Sequence, residues 1–373
     1  MTARTCTVAA GGHDLAATWA LTADSLLLTP SAGAARAVLL RDIEGIGGDD
    51  GSIELTLGPE RITLSRLGAE ATALRDDLVA AWLPARAAAL RLAGEGQPVR
   101  FSGTVAFREK APVPFAALLY PHAVLLAPQG SDLSPLFLAE VEALTFDADR
   151  WVIMAQLWGC GTVSFGKLGG RTDEIREALT AARAALAEDA AATLARWLPT
   201  LPTAARGTLA SRWLPGRFLP LADLEAQAPG AAAALFTTWV APQPRAAQGT
   251  ALQEWAAAGT VFAGYTTRAG SAELWLLARR DQLHLLECLS REDWATYRLA
   301  GGKEVPELAG RLLCAPQFSR EALYLPLEEL SGERGDYAVA ARSLPFLREL
   351  RQRFRGRIIH REMAAWRAAL DAP

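Results

Sequence analysis

The sequence repeats one order of apolar runs about every hundred residues, and this feature limits the possible folds more than any other. The apolar run that begins at Leu26 corresponds to the run that begins at Val124, 98 residues later. Leu67, just before a helical segment, corresponds to Leu168, 101 residues later, so one short insertion reconciles the two offsets. A shared apolar frame with different polar residues indicates a tandem duplication of one fold.

Each repeat is predicted to be a string of strands followed by one helix. Between Thr5 and Leu67 the apolar runs are short and are separated by glycine-rich turns, which is typical of antiparallel strands. We expect six or seven strands in each repeat. Leu74, Leu78 and Trp82 then follow at a spacing of three to four residues, which predicts a helix with one apolar side.

The rest of the chain differs in pattern. Prolines recur among alanine-rich helical pieces over residues 199–258, and this segment also contains aromatic residues, which predicts an ordered helical connector. Strand patterns return at residue 259 and helical patterns follow them. The predicted domains are therefore residues 1–95, 96–198, the connector 199–258, and an α+β domain over 259–373. A third, diverged copy of the repeat is one interpretation of the last segment.

The order of strands first and one tryptophan-bearing helix last resembles the pleckstrin-homology-like (PH-like) fold. In that family a C-terminal helix closes one end of a strongly bent, seven-stranded barrel. Trp82 stands where the family has its helical tryptophan, whereas the second repeat has Arg183 at that position. The resemblance covers about the first 190 residues and implies an α+β fold of tandem bent sheets, each closed by a helix. It also implies binding of phosphoinositides, peptides or partner domains, although a fold alone does not fix a function.

Composition excludes several classes of protein. The formal net charge of −3 gives the chain no overall positive field that would attract nucleic acid or anionic lipid. No apolar run is long enough for a membrane span. The four cysteines lack metal-binding or disulfide-framework spacing, which favours a reducing compartment. We therefore predict a cytoplasmic protein, and the excess of arginine over lysine with abundant alanine is typical of a bacterium with a GC-rich genome.

No catalytic residue, cofactor or metal ion is predicted. Residues 161–167 match the phosphate-loop pattern G-x-x-x-x-G-K, but Leu168 follows instead of Ser or Thr, and residues 162–165 alternate as a strand. The four histidines lie in separate segments, so none is predicted to ligate a metal ion. An enzyme whose residues converge from distant segments remains the third alternative for the function.

Three residues are candidates for partner binding. Trp158 lies beside Gly159 in a predicted turn, where an exposed indole would act as an anchor and a buried one would only fix the hairpin. Arg108 and Lys110 lie in the first hairpin of the second repeat, near the basic positions of lipid-binding PH-like domains. A solvated surface is the alternative interpretation for both.

The C-terminal segment is the strongest local concentration of positive charge. Arg348, Arg351 and Arg355 are predicted to share one side of a helix, from which they could contact phosphates of nucleic acid or of anionic lipid headgroups. They could equally pair with the acidic residues of segment 328–336. The sequence thus favours a non-catalytic adaptor or scaffold that binds a protein partner, with phosphate recognition as the alternative.

Overall fold

The computed structural model shows an α+β protein with three antiparallel sheets. The structure describes residues 4–10, 13–92, 97–108, 110–159, 161–235, 261–268, 271–279, 283–287, 295–302, 304–314, 321–330, 335–359 and 368. Within these residues no helix is both long and apolar enough to cross a membrane.

The first sheet is built from the first repeat. Its strands are β1 (Arg4–Ala10), β2 (His13–Leu21), β3 (Ser25–Pro30), β4 (Arg36–Leu39), β5 (Gly45–Gly47), β6 (Ile53–Leu57) and β7 (Glu60–Ser65). Their order is β4-β3-β2-β1-β7-β6-β5, so the last hairpin returns to pair with the first strand. Helix α1 (Glu70–Ala89) follows the last strand.

The second repeat has the same strand order. Its strands are β8 (Val99–Phe107), β9 (Val113–Leu119), β10 (Ala123–Pro128), β11 (Ser134–Phe137), β12 (Val141–Asp147), β13 (Val152–Leu157) and β14 (Gly161–Gly166). They are arranged β11-β10-β9-β8-β14-β13-β12, and helix α2 (Thr172–Trp197) follows. Each repeat also has a 3-10 turn after its fourth strand, at 40–42 and at 138–140.

Equivalent positions adopt equivalent backbone conformations in the two repeats. Arg66 and Lys167, 101 residues apart, both have positive φ, at 57° and 53°. Lys167 therefore lies in the turn after a strand, and the preceding residues 161–166 form β14 rather than a phosphate-binding loop. A left-handed residue other than glycine is uncommon, so its recurrence at equivalent positions shows that the two turns share one backbone conformation.

Each of the two helices buries an apolar side against the strands of its own repeat, as predicted for α1. Leu74 and Leu78 of α1 lie in a core with Ile53, Ile62 and other strand residues. Ile175 and Leu179 of α2 lie in a core with strand residues of the second repeat. The alternation of apolar and polar residues along the strands provides the other half of each core, since successive side chains point to opposite faces.

The remainder of the chain forms a third sheet with helices. The connector contains α3 (Thr203–Arg212), β15 (Leu219–Pro220), α4 (Leu221–Gln227) and α5 (Ala231–Leu235), and the rest of the predicted connector lies outside the described residues. The later elements are β16 (Val261–Arg268), β17 (Ser271–Arg279), β18 (Leu283–Glu287), β19 (Ala295–Leu299), α6 (Val305–Cys314), α7 (Glu321–Tyr324), α8 (Gly335–Ser343), α9 (Pro345–Arg353) and β20 (Phe354–Ile359). We call β15–β20 with α6–α9 the third unit.

The third sheet does not have the strand order of the two repeats. Its strands run β15-β16-β17-β18-β19-β20, so its neighbours follow the chain and its first strand comes from the connector. The core of the first repeat continues through the connector and the third unit to the outer face of the second repeat, whereas the inner core of the second repeat is a distinct cluster. The described part of the connector, residues 199–235, is therefore packed against the other units.

Candidate binding surfaces

The outer face of β9, β10 and β11 in the second repeat is covered by helices from elsewhere in the chain. Helix α1 of the first repeat contacts β9 and β10, and Arg100 next to them donates a hydrogen bond to the carbonyl oxygen of Ala80 on α1 (3.1 Å). Phe346 of α9 packs edge-on against Phe137, with ring centroids 6.0 Å apart. The residues of this face that are buried as a result include Leu118, Tyr120, Ala123, Leu125 and Phe137.

The equivalent face of the first repeat is open. Leu27 and Leu39 lie 98 residues before Leu125 and Phe137, and their exposed fractions are 38% and 37%, against 0% and 1% for the later pair. Ala37, between them on the sheet, is also exposed. We call Leu27, Ala37 and Leu39, with Ala20 beside them, the open face. Equivalent surfaces of the two repeats thus lie in different environments.

A cavity lies at the same position in each repeat, between the 3-10 turn and the second half of the helix. The cavity of the first repeat has a volume of about 430 Å³ and that of the second about 220 Å³. Residues at equivalent positions line both cavities: Asp24 and His122, Arg41 and Ala139, Ala85 and Leu186, Ala88 and Asp189.

The second cavity is closed by the connector and the third unit. Pro215, Thr266, Thr267, Leu313 and Cys314 complete its wall, whereas Asp336 is the third-unit residue that lines the first cavity. The hydroxyl of Thr266 is buried at this wall and has no hydrogen-bond partner within the described part of the chain. The first cavity is therefore the more open of the two equivalent sites.

Burial shifts the pKa values of two residues that line the second cavity, His122 and Cys314, toward their neutral forms. It lowers the pKa of His122 from its ordinary value of 6.5, which favours the neutral imidazole. It also raises the pKa of the Cys314 thiol well above 9.0, and a thiol of this kind is a poor nucleophile. Among the described residues, no three His, Cys, Asp or Glu side chains are grouped so that they could hold a metal ion.

A partly buried ion pair joins the second repeat to the third unit next to this cavity. Arg311 Nε of α6 lies 2.5 Å from Glu140 Oε1 in the 3-10 turn. Burial raises the pKa of Glu140, and the charge of Arg311 opposes that rise. The pair fixes the position of α6 on the second repeat.

Trp158 lies in the predicted turn, but a neighbouring guanidinium covers its ring. Trp158 is half-buried, and Cζ of Arg217 from the connector lies 5.0 Å from the ring centroid. Arg217 Nη2 also donates to Glu142 Oε1 at 2.9 Å. The indole therefore contacts the connector within the same chain.

Arg108 and Lys110 lie at the end of β8, and both side chains are exposed. Arg108 has a left-handed backbone, with φ 56°, and its N–H donates to the carbonyl oxygen of Thr162 at 2.8 Å. Its side chain passes close to Gly161, in the hairpin that follows Trp158. The fold thus brings Arg108 to the hairpin of Trp158, while Lys110 borders another cavity, together with Asp132 and Pro345.

The prediction that Arg348, Arg351 and Arg355 share one helical side is wrong. Helix α9 ends at Arg353 and β20 begins at Phe354, so Arg355 lies on a strand. Gly356 has φ 153° and Ile358 and Ile359 follow it, a combination that favours extended backbone over helix.

The C-terminal arginines make contacts within the chain. Arg348 Nη2 lies 3.4 Å from Asp132 Oδ2 of the second repeat. Arg351 donates to the carbonyl oxygens of Ala322 and Leu325 at 2.7 and 2.8 Å. Arg355 donates to the carbonyl oxygens of Gln352 and Phe354. In the acidic segment 328–336, Asp336 pairs with Arg91 of the first repeat at 3.5 Å. The sequence did not suggest this partner.

An open groove beside Trp158 contains three arginines that sequence reasoning did not bring together. It has a volume of about 550 Å³ and lies between the second repeat, the connector and the third sheet. We call it the arginine groove, after Arg183, Arg212 and Arg217. One feature of the sequence pointed to this groove: Arg183 stands where the first repeat has Trp82. The other lining residues are Glu142, Trp158, Ser211, Leu219, Pro220, Asp223, Gln227 and Phe262.

The protein thus belongs to the α+β class. Two of its sheets have the same strand order, and in the third sheet neighbouring strands follow one another along the chain. No protein-family model matches the chain. No curated protein shows significant sequence similarity to it.

Proposed function

We propose that this protein is a non-catalytic adaptor of two PH-like domains, and that the open face of its first repeat binds an apolar helix of a protein partner. The strand order β4-β3-β2-β1-β7-β6-β5 and a helix after the last strand support the PH-like assignment of the first repeat. The same features of β8–β14 and α2 support it for the second.

One observation carries the proposal: the second repeat uses the equivalent face to bind helices. Leu125 and Phe137 are buried by α1 and α9, whereas Leu27 and Leu39 are more than a third exposed. Exposed apolar side chains that adjoin one another mark interaction sites more often than isolated ones do. Pairing between β3 and β4 places Leu27 opposite Ala37, which makes the exposed surface continuous.

The covered face indicates the chemistry of the partner. Its occupants are helices, and Phe346 packs an aromatic ring against Phe137, the residue at the position equivalent to Leu39. We therefore expect a partner helix with an apolar side that carries at least one large residue, which is the usual form of helix recognition by an apolar groove. The larger cavity of the first repeat, which Leu39 also lines, would accept that residue.

Site-specific photo-crosslinking in the native host tests the proposal. A photoreactive amino acid replaces Leu27 in one variant and Arg150, whose side chain is 82% exposed in the second repeat, in the control. We expect one protein to crosslink at position 27 and not at position 150, through a helical segment with an apolar side. The purified segment should then bind Leu27→Glu/Leu39→Glu at least about tenfold more weakly than the unmodified chain, since two apolar contacts would be replaced by charges.

Two results would contradict the proposal. One is equal crosslinking at positions 27 and 150, which would indicate random collision. The other is a crosslinked segment whose affinity is unchanged in Leu27→Glu/Leu39→Glu. Because both leucines are exposed, thermal unfolding of the double variant should match that of the unmodified chain, which separates loss of binding from loss of folding.

A further inference from the structure

We infer that the arginine groove is a binding site for a small organic phosphate monoester that carries an apolar or aromatic group. The groove is formed by the second repeat, the connector and the third sheet. It is therefore separate from the open face of the first repeat, and neither proposal depends on the other.

Three positively charged side chains line the arginine groove. The positive charges of Arg183 and Arg212 act on Arg217, and with burial, which is the largest cause, they lower the pKa of its guanidinium. Glu142 offsets part of this charge through its ion pair with Arg217. The Arg212 side chain is exposed and has no ion-pair or hydrogen-bond partner in the part of the chain that the structure describes. An anionic ligand would relieve the repulsion among the three guanidiniums.

Two of the three arginines, Arg183 and Arg217, are held in fixed orientations. Arg183 is held by two backbone carbonyl oxygens, those of Val141 at 2.9 Å and Glu142 at 2.8 Å. Arg217 is held between Glu142 and the ring of Trp158. Arginines that are already fixed lose little side-chain entropy when they bind a ligand, and their planar donor sets match phosphate oxygens. Trp158 thus acts as a positioning residue for Arg217.

Two polar side-chain atoms of residues that line the groove lack a hydrogen-bond partner. Nε of Arg217 and Oε1 of Gln227 are buried and have no hydrogen-bond partner among the described residues. Such groups cost free energy unless a bound molecule satisfies them. Both atoms have almost no solvent-accessible surface, so a ligand reaches them only after a small turn of each side chain: Arg217 Nε could then donate to a phosphate oxygen, and Gln227 Oε1 could accept from a hydroxyl or amino group elsewhere on the ligand. These two groups favour a ligand with both an anionic end and a donor.

The groove is large and has an apolar side. Leu219, Pro220 and Phe262 provide an apolar wall beside the arginines. The volume of about 550 Å³ lies within the range of small-molecule sites and exceeds what inorganic phosphate would fill. The carboxylates of Glu142 and Asp223 limit the net positive charge of the groove, which disfavours ligands with many phosphates. One phosphate group on an apolar or aromatic body fits all four observations.

Isothermal titration calorimetry of the full chain tests the inference with phenyl phosphate, inorganic phosphate and phenol as probes. We expect phenyl phosphate to bind more tightly than inorganic phosphate, because only the former reaches the apolar wall. Phenol, which lacks the anion, should not bind. Binding should weaken as salt is raised, since the contacts are ionic.

The variant Arg212→Ala and the control Arg150→Ala decide whether the groove is the site. Both arginines are exposed; Arg212 has no partner among the described residues and Arg150 only an exposed ion pair with Asp147, so both variants should fold. We expect Arg212→Ala to weaken phenyl phosphate binding at least about fivefold, as loss of one charged hydrogen-bonding group predicts, and Arg150→Ala to leave it unchanged. Equal binding by Arg212→Ala and the unmodified chain would overturn the inference, as would absence of phenyl phosphate binding at millimolar concentration.

Discussion

Trp82 and Arg183 make the same hydrogen bond at equivalent positions of the two repeats. Trp82 Nε1 donates to the carbonyl oxygen of Ile43 at 2.8 Å, and Arg183 Nε donates to that of Val141 at 2.9 Å. Ile43 and Val141 are themselves equivalent, since each ends the 3-10 turn of its repeat. In each repeat the helix thus donates a hydrogen bond to the equivalent turn carbonyl, from an indole N–H in the first repeat and from a guanidinium N–H in the second.

Removal of the tryptophan donor should destabilise the first repeat. In Trp82→Phe the carbonyl of Ile43 loses its buried partner, which should cost about 1–3 kcal/mol in the free energy of unfolding. Urea unfolding measures this change. Trp151→Phe is the matched control, because Trp151 is 57% exposed and its replacement should change stability by less than about 0.5 kcal/mol. Equal stability of Trp82→Phe and the control would contradict the structural role of the bond.

The ion pair between Glu140 and Arg311 should show strong coupling in a double-mutant cycle. Arg311→Met alone removes the guanidinium that faces the buried Glu140 carboxylate and should cost about 3–5 kcal/mol, Glu140→Gln should cost less because Arg311 is partly exposed, and the double variant should cost less than the sum of the two. The exposed pair Arg61 and Glu54 is the control, with an expected coupling below about 1 kcal/mol. Additive effects at Glu140 and Arg311 would show that the pair does not hold α6 on the second repeat.

His122 should make stability depend on pH. Burial lowers its pKa below 6.5, so in acid the unfolded chain takes up a proton before the folded chain does. The free energy of unfolding should therefore fall as the pH is lowered from about 6.5 to the lowered pKa of the folded state, and lose no more from this group below it. His122→Gln should lack that part of the decrease. Urea unfolding of both chains at about pH 7.5 and about pH 5.5 measures the difference, and identical pH dependence would contradict the burial of the imidazole.

Gly216 should be intolerant of any side chain. It has φ 89°, and a Cβ atom there would clash with the Sγ and backbone of Cys314 on α6. Gly216→Ala should therefore destabilise the chain by about 1–3 kcal/mol. Gly207→Ala is the control: Gly207 lies within α3 and a Cβ atom there meets nothing within 4 Å, so alanine should stabilise by about 0.5–1 kcal/mol. Thermal unfolding of both variants decides, and a stable Gly216→Ala would contradict the close contact between connector and α6.

The α+β class and the strands of the repeats were predictable because their apolar residues alternate or recur at helical spacing. Leu74, Leu78 and Trp82 are buried on α1 as their spacing predicted. The end of α9 was not predictable from periodicity, because Phe354 continues the helical pattern although the backbone becomes extended at that residue. A single apolar residue fits either period, and the pairing of β20 with β19 decides between them.

The binding surfaces were less predictable, because they depend on which units pack together. Leu27 and Leu125 occupy the same place in the apolar frame, yet one is exposed and the other has no exposure. Nothing near either residue in the sequence specifies that difference, which arises because α1 packs on the second repeat. For the same reason Arg183, Arg212 and Arg217 could not be grouped, since they lie on separate elements that meet only in the folded chain.

The most direct test of this account compares thiol labelling at positions 27 and 125. Leu27→Cys and Leu125→Cys are each treated with a thiol reagent in the native state, and peptide mapping by mass spectrometry separates the introduced cysteine from the natural ones. We predict that Cys at position 27 reacts quickly, whereas reaction at position 125 needs local opening and is slower by at least about a hundredfold. Equal rates at the two positions would contradict the claim that the duplicated face is covered in one repeat and open in the other.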